Sequence, residues 1–507
     1  MEYQTLLLLI TFVCATILIF ILRKLNQTQI STKPPLPPGP HPLPIIGNIL
    51  ELGKNPHKSL TKLSKIYGPI MTLKLGTITT IVISSPQVAK QVLQENSQIF
   101  SSRSIPHAGY ALDHHKFSPA WLPTIDLWKK LRKICATKVF STKMLDSTKN
   151  LRQQKLQELL DYVNEKIQKG EAIDIGEAVF TTVLNSISNT LFSMDLAHSI
   201  HGQESQEFKK IIWGIMEEAG KPNVSDFFPI LRPLDLQSVY AKTTKHLKKL
   251  YDILDEIIEE RISTRSTKAD SGDVCNDVLD SLLKSNNIGE TTLELSRDEM
   301  VHLFMDLFVA GIDTTSGTIE WIMTELLRNP EKLTKAQKEV CQEIDKEETI
   351  EESHISKLLF LQAIVKETFR LHPSAPLLLP HKCDETVQIL GFNVPKNAQI
   401  IVNVWAMGRD PTIWENPNIF IPERFLECDI NYKGNSFELI PFGASKRICP
   451  GLPLAHRVLH LVVASLLRNF KWNLPDGLKP EEVNMEAKFG ITLKKFQSLR
   501  LQATSSA

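Results

Sequence analysis

Cys449 stands in the stretch Pro441-Phe442-Gly443-Ala444-Ser445-Lys446-Arg447-Ile448-Cys449-Pro450-Gly451, and this thiol constrains the chain more than any other single residue. A cysteine placed just before Pro-Gly and an apolar, helix-forming run is expected at a helix N-terminus. There, free N–H groups and the positive end of the helix dipole favour a thiolate, which is a metal ligand. Arg447 supplies a fixed cation two residues upstream, and the flanking glycines let backbone amides approach the sulfur closely. On the cysteine alone, a buried structural thiol near a turn is the better reading.

The rest of the composition narrows the class. Of 507 residues 23% are charged and the formal net charge is +1, so no global field argues for nucleic acid or a polyanionic substrate. Seven cysteines without CxxC spacing read as reduced cytosolic thiols. Residues 3–22 carry no charge. Such a stretch of roughly 20 residues, rising 1.5 Å each, can cross a hydrocarbon core of about 30 Å as a transmembrane anchor. Arg23-Lys24 follow it and predict that everything downstream faces the cytosol. Residues 23–44 then read as a basic and proline-rich hinge, with seven prolines between Lys33 and Pro44.

Beyond the hinge, 45–507 reads as one mainly α-helical body with small β-sheets. Alternating runs on either side of Gly76, from Pro69 to Ser84, predict a β-hairpin. Apolar residues at three- and four-residue spacing predict helices over 153–167, 244–262 and 295–327. A loop is expected over 263–277, and short strands near 387–390 and 398–403.

Four further motifs carry polar groups in telling places. Trp128 and Arg132 lie one helical turn apart, so both can donate from one face. Ala310-Gly311-Ile312-Asp313-Thr314-Thr315 puts an acid and hydroxyls inside a long apolar helix, where Thr314 can compete for a backbone carbonyl and open a kink. Glu367 and Arg370 form an ExxR pair upstream of Pro422-Glu423-Arg424-Phe425; Glu325 and Arg328 share the same spacing. The last is Pro380-His381.

With Phe442, Arg447, Cys449 and Gly451, these motifs stand in the order found in the cytochrome P450 family, which the chain resembles from its anchor to about Leu501. Stretches such as Leu36-Pro37-Pro38-Gly39-Pro40 and Trp405-Ala406-Met407-Gly408-Arg409-Asp410-Pro411 resemble the plant microsomal subfamily that contains geraniol 8-hydroxylase. The resemblance implies the cytochrome P450 fold and haem b held by Cys449 as axial thiolate. It makes Trp128, Arg132, His381 and Arg447 partners of the haem carboxylates, sets Phe442, Gly451 and Ala310 against the ring, and gives Asp313 and Thr314 the proton supply. Glu367, Arg370 and Arg424 become a buried structural triad. Family topology suggests Ile105, Phe117, Leu122, Phe227, Phe228, Phe304, Phe308, Leu377, Leu378, Phe489 and Ile491 as the substrate pocket. Ser445 departs from the family's usual glycine, a strain of about 1 kcal/mol if its φ is positive.

The implied reaction inserts one oxygen atom of O₂ into a terpenoid, such as the monoterpenol geraniol, at the endoplasmic reticulum membrane. Electrons come from NADPH through a separate reductase, since the chain has no dinucleotide fingerprint of its own. Lys129, Lys130, Lys133 and Lys446 could receive an acidic reductase. Diterpenoid or aromatic substrates are the alternative within the same chemistry. A haem-thiolate isomerase or dehydratase, or a non-catalytic haem-binding membrane protein, are the rivals outside it.

Overall fold

The computed structural model describes residues 34–200, 202–267, 277–287, 294–345, 347–475 and 477–505. The expected anchor at 3–22 and most of the loop at 263–277 lie outside them, and residues 263–267 continue a helix. Among the described residues no helix is long and apolar enough to cross a membrane.

Helices dominate. The long ones in chain order are α1 (Pro56–Tyr67), α2 (Asp126–Ile134), α3 (Lys149–Lys169), α4 (Ile175–Phe192), α5 (Gln203–Gly220), α6 (Val239–Thr267), α7 (Arg297–Arg328), α8 (Pro330–Glu343), α9 (Leu359–Leu371) and α10 (Leu452–Asn469). The predicted helices over 153–167 and 244–262 fall inside α3 and α6, and that over 295–327 starts two residues ahead of α7. Helix α7 is the axle of the body. Its first turn is fixed by a capping box in which Ser296 Oγ accepts from the Glu299 amide while Glu299 reaches back to the Ser296 amide. It then runs for 32 residues, buried on nearly every side, against α4, α6, α9 and α10.

The sheets are small and peripheral. Strands β1 (Ile70–Leu75), β2 (Ile78–Ile83), β3 (Ser102–Arg103), β5 (His381–Lys382) and β8 (Gln399–Val402) form one sheet in the order β1-β2-β8-β5-β3. The predicted hairpin is β1–β2, turning at Gly76 with φ +57°. A three-stranded sheet joins β4 (Ile173–Asp174), β12 (Arg500–Ser505) and β9 (Phe470–Asn473). Two hairpins complete the set, β6 (Val387–Ile389) with β7 (Phe392–Val394) and β10 (Ala487–Phe489) with β11 (Leu493–Lys495).

The proline-rich stretch is less of a hinge than its composition suggests. Pro38 accepts a hydrogen bond from the Thr72 amide at 2.9 Å, and Pro35 from the Asn393 amide at 2.8 Å. A Cβ on Gly39 would stand 1.9 Å from the Thr72 carbonyl oxygen. From Pro35 onward the segment is therefore seated on β1 and β7, and the folded body begins before residue 45.

Candidate active site

Cys449 lies where its sequence context demands, directly ahead of α10. Its amide donates to the Phe442 carbonyl at 2.9 Å, closing the loop, and Gly443 makes the reversal with φ +70°. The sulfur accepts from the amides of Gly451 and Leu452. Burial pushes a free thiol here up from its ordinary value, outweighing the Gly451 amide, the Arg132 charge and the Leu452 amide. The helix terminus alone does not hold a thiolate; a metal charge would. Ser445 has φ +57°, so the strained position expected from the sequence is real.

Above the sulfur opens a cavity of about 330 Å³. One wall is the loop, with Phe442, Arg447, Cys449 and Gly451; the other is α7, with Leu307, Ala310, Gly311, Thr314 and Thr318. Gly311 is needed for packing, since a Cβ there would come within 2.8 Å of Ile187 Cδ1 on α4. Helix α7 is α-helical throughout, and Thr314 Oγ1 donates to the Ala310 carbonyl at 2.6 Å, the competition for a backbone carbonyl expected from the sequence.

The sequence pairs Asp313 with Thr314, but the structure gives Asp313 another partner. Asp313 is not among the cavity-lining residues. Its Oδ2 accepts from Thr492 Oγ1 at 2.6 Å, and Thr492, in the turn of the β10–β11 hairpin, does line the cavity. Burial pushes the Asp313 carboxyl up from the usual range, against the Thr492 hydrogen bond and the Lys494 charge. A little over two turns before Thr314, Asp306 also lines the cavity. It is fully engaged, accepting from His114 Nε2 at 2.9 Å and Ser118 Oγ at 2.5 Å, and so fastens the 107–118 segment to α7.

Basic groups gather at one edge. Arg447 donates to the carbonyls of Ser101 at 2.8 Å, Pro119 at 3.1 Å and Leu122, and its guanidinium lies 4.8 Å from the Trp128 ring. Trp128 Nε1 donates to the same Pro119 carbonyl at 3.2 Å. Arg132 lies 5.8 Å from the Trp128 ring. His381 donates from Nδ1 to the Phe100 carbonyl at 2.7 Å, which leaves Nε2 toward the cavity it lines. Sequence reasoning missed Arg103, which reaches this edge because β3 pairs with β5 and sets Arg103 opposite His381. Arg103 donates to the Leu379 carbonyl at 2.6 Å, and its Nε is buried without a partner. Burial, and then the charges of Arg447 and Arg132, pull its guanidinium well below its ordinary value. Burial and the Arg132 charge bring Arg447 down to about 10.

These residues fit a haem. Among the described residues no carboxylate bonds to any of the three guanidiniums, so the edge needs anions from outside the chain, as the two carboxylates of haem would supply. Gly451 shows the same fit from another side. With φ −80° its backbone needs no glycine, and an added Cβ would meet only the Phe140 ring at 3.7 Å and Cys449 Sγ at 3.8 Å.

Behind the loop, the charge triad is present. Arg370 donates to Glu367 through Nε and Nη2, both at 2.7 Å, and to the carbonyls of Gly408, Pro417 and Ile419. Arg424 Nε donates to Glu367 Oε1 at 3.2 Å. The Glu367 and Arg370 side chains are 0% exposed. The competing pair is no such unit, because Glu325 instead accepts from His372 Nε2 at 2.6 Å.

The aromatic pocket expected from family topology is largely elsewhere. Only Leu378 and Ile491 of that set line the cavity. Phe304 and Phe308 turn to Phe192, at ring distances of 4.9 and 5.7 Å; Phe117 stacks on His302 and Phe489 on His57. Leu122 belongs to the main core, Phe227 and Leu377 pack beside β1 and β2, Phe228 abuts Gly76, and Ile105 abuts Gly109. The walls are instead built by Val183, Ile187, Leu191, Met216, Leu307 and Leu379. Of the lysines, Lys130 is tied to Glu299 at 3.0 Å and Lys129 to Asp126 at 2.9 Å, while Lys133 and Lys446 remain exposed.

A thiol capping a helix beneath an apolar cavity, a hydroxyl-bearing helix above it and uncompensated guanidiniums at its edge define a haem-thiolate oxygenase. The family model for cytochrome P450 matches residues 37–500, and the chain belongs to that family. It is 52% identical to Cytochrome P450 76T24 of Catharanthus roseus, over 90% of this chain and 91% of the relative. It is 51% identical to Cytochrome P450 monooxygenase 76AD131 of Lophophora williamsii, over 95% of each. Geraniol 8-hydroxylase of Catharanthus roseus is 49% identical, over 92% of this chain and 93% of the relative. The protein is therefore a cytochrome P450 monooxygenase carrying haem on a cysteine thiolate. Bound haem supplies oxygen activation, which a sulfur ligand favours by pushing electron density onto the iron.

Proposed function

We propose that this enzyme hydroxylates a monoterpenol such as geraniol, using electrons passed from NADPH by a separate reductase. The observation that carries the reading is the lining of the cavity: aliphatic side chains, with the hydroxyls of Thr314, Thr318, Ser374 and Thr492 among them. Haem takes its share of the same cavity, so the lining and not the volume is the guide, and it suits an apolar molecule bearing an alcohol. Identity to geraniol 8-hydroxylase supports the same class.

Each polar residue then has a task. Cys449 holds the iron, and Arg103, Arg132, Arg447 and His381 hold the haem carboxylates. With Nδ1–H spent on Phe100, His381 can donate to a carboxylate only when its Nε2 is also protonated. Thr314 and the Asp313–Thr492 pair hold protons at the cavity wall, and the aliphatic walls exclude water.

In this reading the enzyme is anchored by residues 3–22 to the endoplasmic reticulum membrane. Ile230 is 86% exposed, and Leu234 and Leu236 are exposed beside it. Thr77 of the β1–β2 turn donates to the Phe227 carbonyl at 2.9 Å, which brings this apolar loop to the sheet that receives the N-terminal segment. Anchor and apolar loop thus meet the bilayer together.

The test is expression in microsomes with a reductase, followed by product analysis over terpenols and abietane-type diterpenes. NADPH-dependent hydroxylation of a monoterpenol is expected. Turnover of diterpenes or aromatic substrates alone, or turnover without NADPH, would refute the reading.

A further inference from the structure

Along one row of the Cys449 cavity the hydroxyl protons are already committed to the protein. Thr314 Oγ1 donates to the Ala310 carbonyl at 2.6 Å, and Thr318 Oγ1, one turn on, donates to the Thr314 carbonyl at 2.7 Å. A carbonyl has no proton to give, so the direction of both bonds is fixed. Ser374, in the loop after α9, stands with its Oγ 3.1 Å from Thr318 Oγ1, and the Thr314 carbonyl is a second acceptor for it at 3.4 Å. Since Thr318 has given its one proton to Thr314, Ser374 is the donor in the pair, and its oxygen keeps a lone pair for the cavity it lines. The Ser374 carbonyl accepts from the Leu493 amide of β11 at 2.8 Å, so backbone and side chain are each held by a separate bond. Ser186 on α4 and Thr315 on α7 also line the cavity, and their hydroxyls bond to nothing among the described residues. Thr315 lies about 100° round the helix from Thr314 and Ser186 on another helix, so neither belongs to this row.

A hydroxyl without a partner turns to suit whatever reaches it, but Ser374 offers the cavity a lone pair and no proton. We propose that Ser374 selects and orients the guest by accepting a hydrogen bond from its O–H, so that the substrate carries an alcohol or phenol and not an ether, ester or aldehyde in its place. The inference rests on the reading of this cavity as the seat of an alcohol-bearing guest, and it names the atom that recognises the alcohol. A guest with acceptors alone sets its oxygen against the Ser374 lone pair or draws the Ser374 proton away from Thr318. Either way a polar group among aliphatic walls is left without its partner, which weakens binding.

The test is Soret titration of the haem-loaded full-length protein with the monoterpenol citronellol, an abietane-type diterpenol and a phenol. Each is titrated beside its deoxyfluoro analogue, in which fluorine of similar size replaces the hydroxyl and donates nothing. Within a pair that binds, the alcohol is expected to bind roughly fivefold tighter or more, the scale of one neutral hydrogen bond. Ser374→Ala should bring that ratio close to one, and Ser374→Thr should keep it. A packing defect weakens both members alike and leaves the ratio unmoved, so the ratio reads the hydrogen bond and not the fold. Where only the diterpenol or phenol pair binds and its alcohol is preferred, the monoterpenol reading fails and this inference stands. Equal binding of citronellol and its analogue, or a preference that survives Ser374→Ala, overturns the inference and leaves that reading intact. No Soret shift with any of the six compounds overturns both.

Discussion

The Thr492 hydroxyl donates to the Asp313 carboxylate at 2.6 Å, linking the middle of α7 to the turn of the β10–β11 hairpin. The acid of α7 therefore reaches the cavity through a residue 179 positions further along the chain. The hydrogen bond favours the charged form of a carboxyl that burial pushes the other way.

Thr492→Val removes that donor, so the Asp313 pKa rises further and any activity limb that needs its carboxylate moves to higher pH. Product formed per NADPH should fall, with the balance released as peroxide. Thr492→Ser should restore both the ratio and the pH profile. An unchanged profile in Thr492→Val would leave the hydroxyl a packing role only.

Thr314→Ala should keep haem but waste reducing equivalents, whereas Cys449→Ser should lose the thiolate-type Soret band of the CO complex. The two are separated by measuring CO spectra beside NADPH and peroxide balances. Tight coupling in Thr314→Ala would remove that residue from the proton supply.

Glu367→Gln leaves Arg370 and Arg424 facing a neutral amide at a position where neither Glu367 nor Arg370 has exposed surface. Breaking a buried charge network of this kind costs roughly 3 to 5 kcal/mol. Denaturant midpoints should show it, along with a lower yield of haem-loaded protein.

Ser445→Gly relieves a serine held at φ +57°. The gain should be about 1 kcal/mol, the scale of the left-handed penalty for a residue with a Cβ. Thermal unfolding of the haem-loaded enzyme checks it, and an unchanged midpoint would show that the loop carries no strain.

Acid should destabilise the fold through buried histidines. Burial brings both His57 and His460 from 6.5 down to about 3. Below pH 6.5 the unfolded chain binds protons that the folded one refuses, so stability falls as pH drops from 6.5 toward 3. His57→Phe, between the rings of Trp405 and Phe489, should recover about 2 kcal/mol at pH 5, at 1.36 kcal/mol per unit. Urea midpoints from pH 7 to 4.5 give the slope directly.

Local signals were legible wherever covalent neighbours set the geometry. The Cys449 loop, the Glu367–Arg370 pair one turn apart and the hairpin at Gly76 all have their meaning within a few residues. Arg103 and Thr492 have none: each reaches the site through a partner far off in sequence, Arg103 across the β3–β5 pairing and Thr492 across the bond to Asp313. The aromatic pocket failed for a different reason. Helical phase from Thr314 puts Leu307 within about 20° of its face and Phe308 about 120° away, a distinction that family topology alone did not carry. The proline run misled because composition reports stiffness but not what the stiff segment lies against.

The tip that carries Thr492 is also bolted to α5. Ile491 donates its amide to the Met216 carbonyl at 2.9 Å, and a Cβ on Gly220 would lie 1.8 Å from that same amide nitrogen. No slack exists between the helix end and the hairpin. The end of α5 and the Asp313–Thr492 bond thus hang on one hairpin tip, so a side chain added at Gly220 would push on the acid in the middle of α7 without touching it.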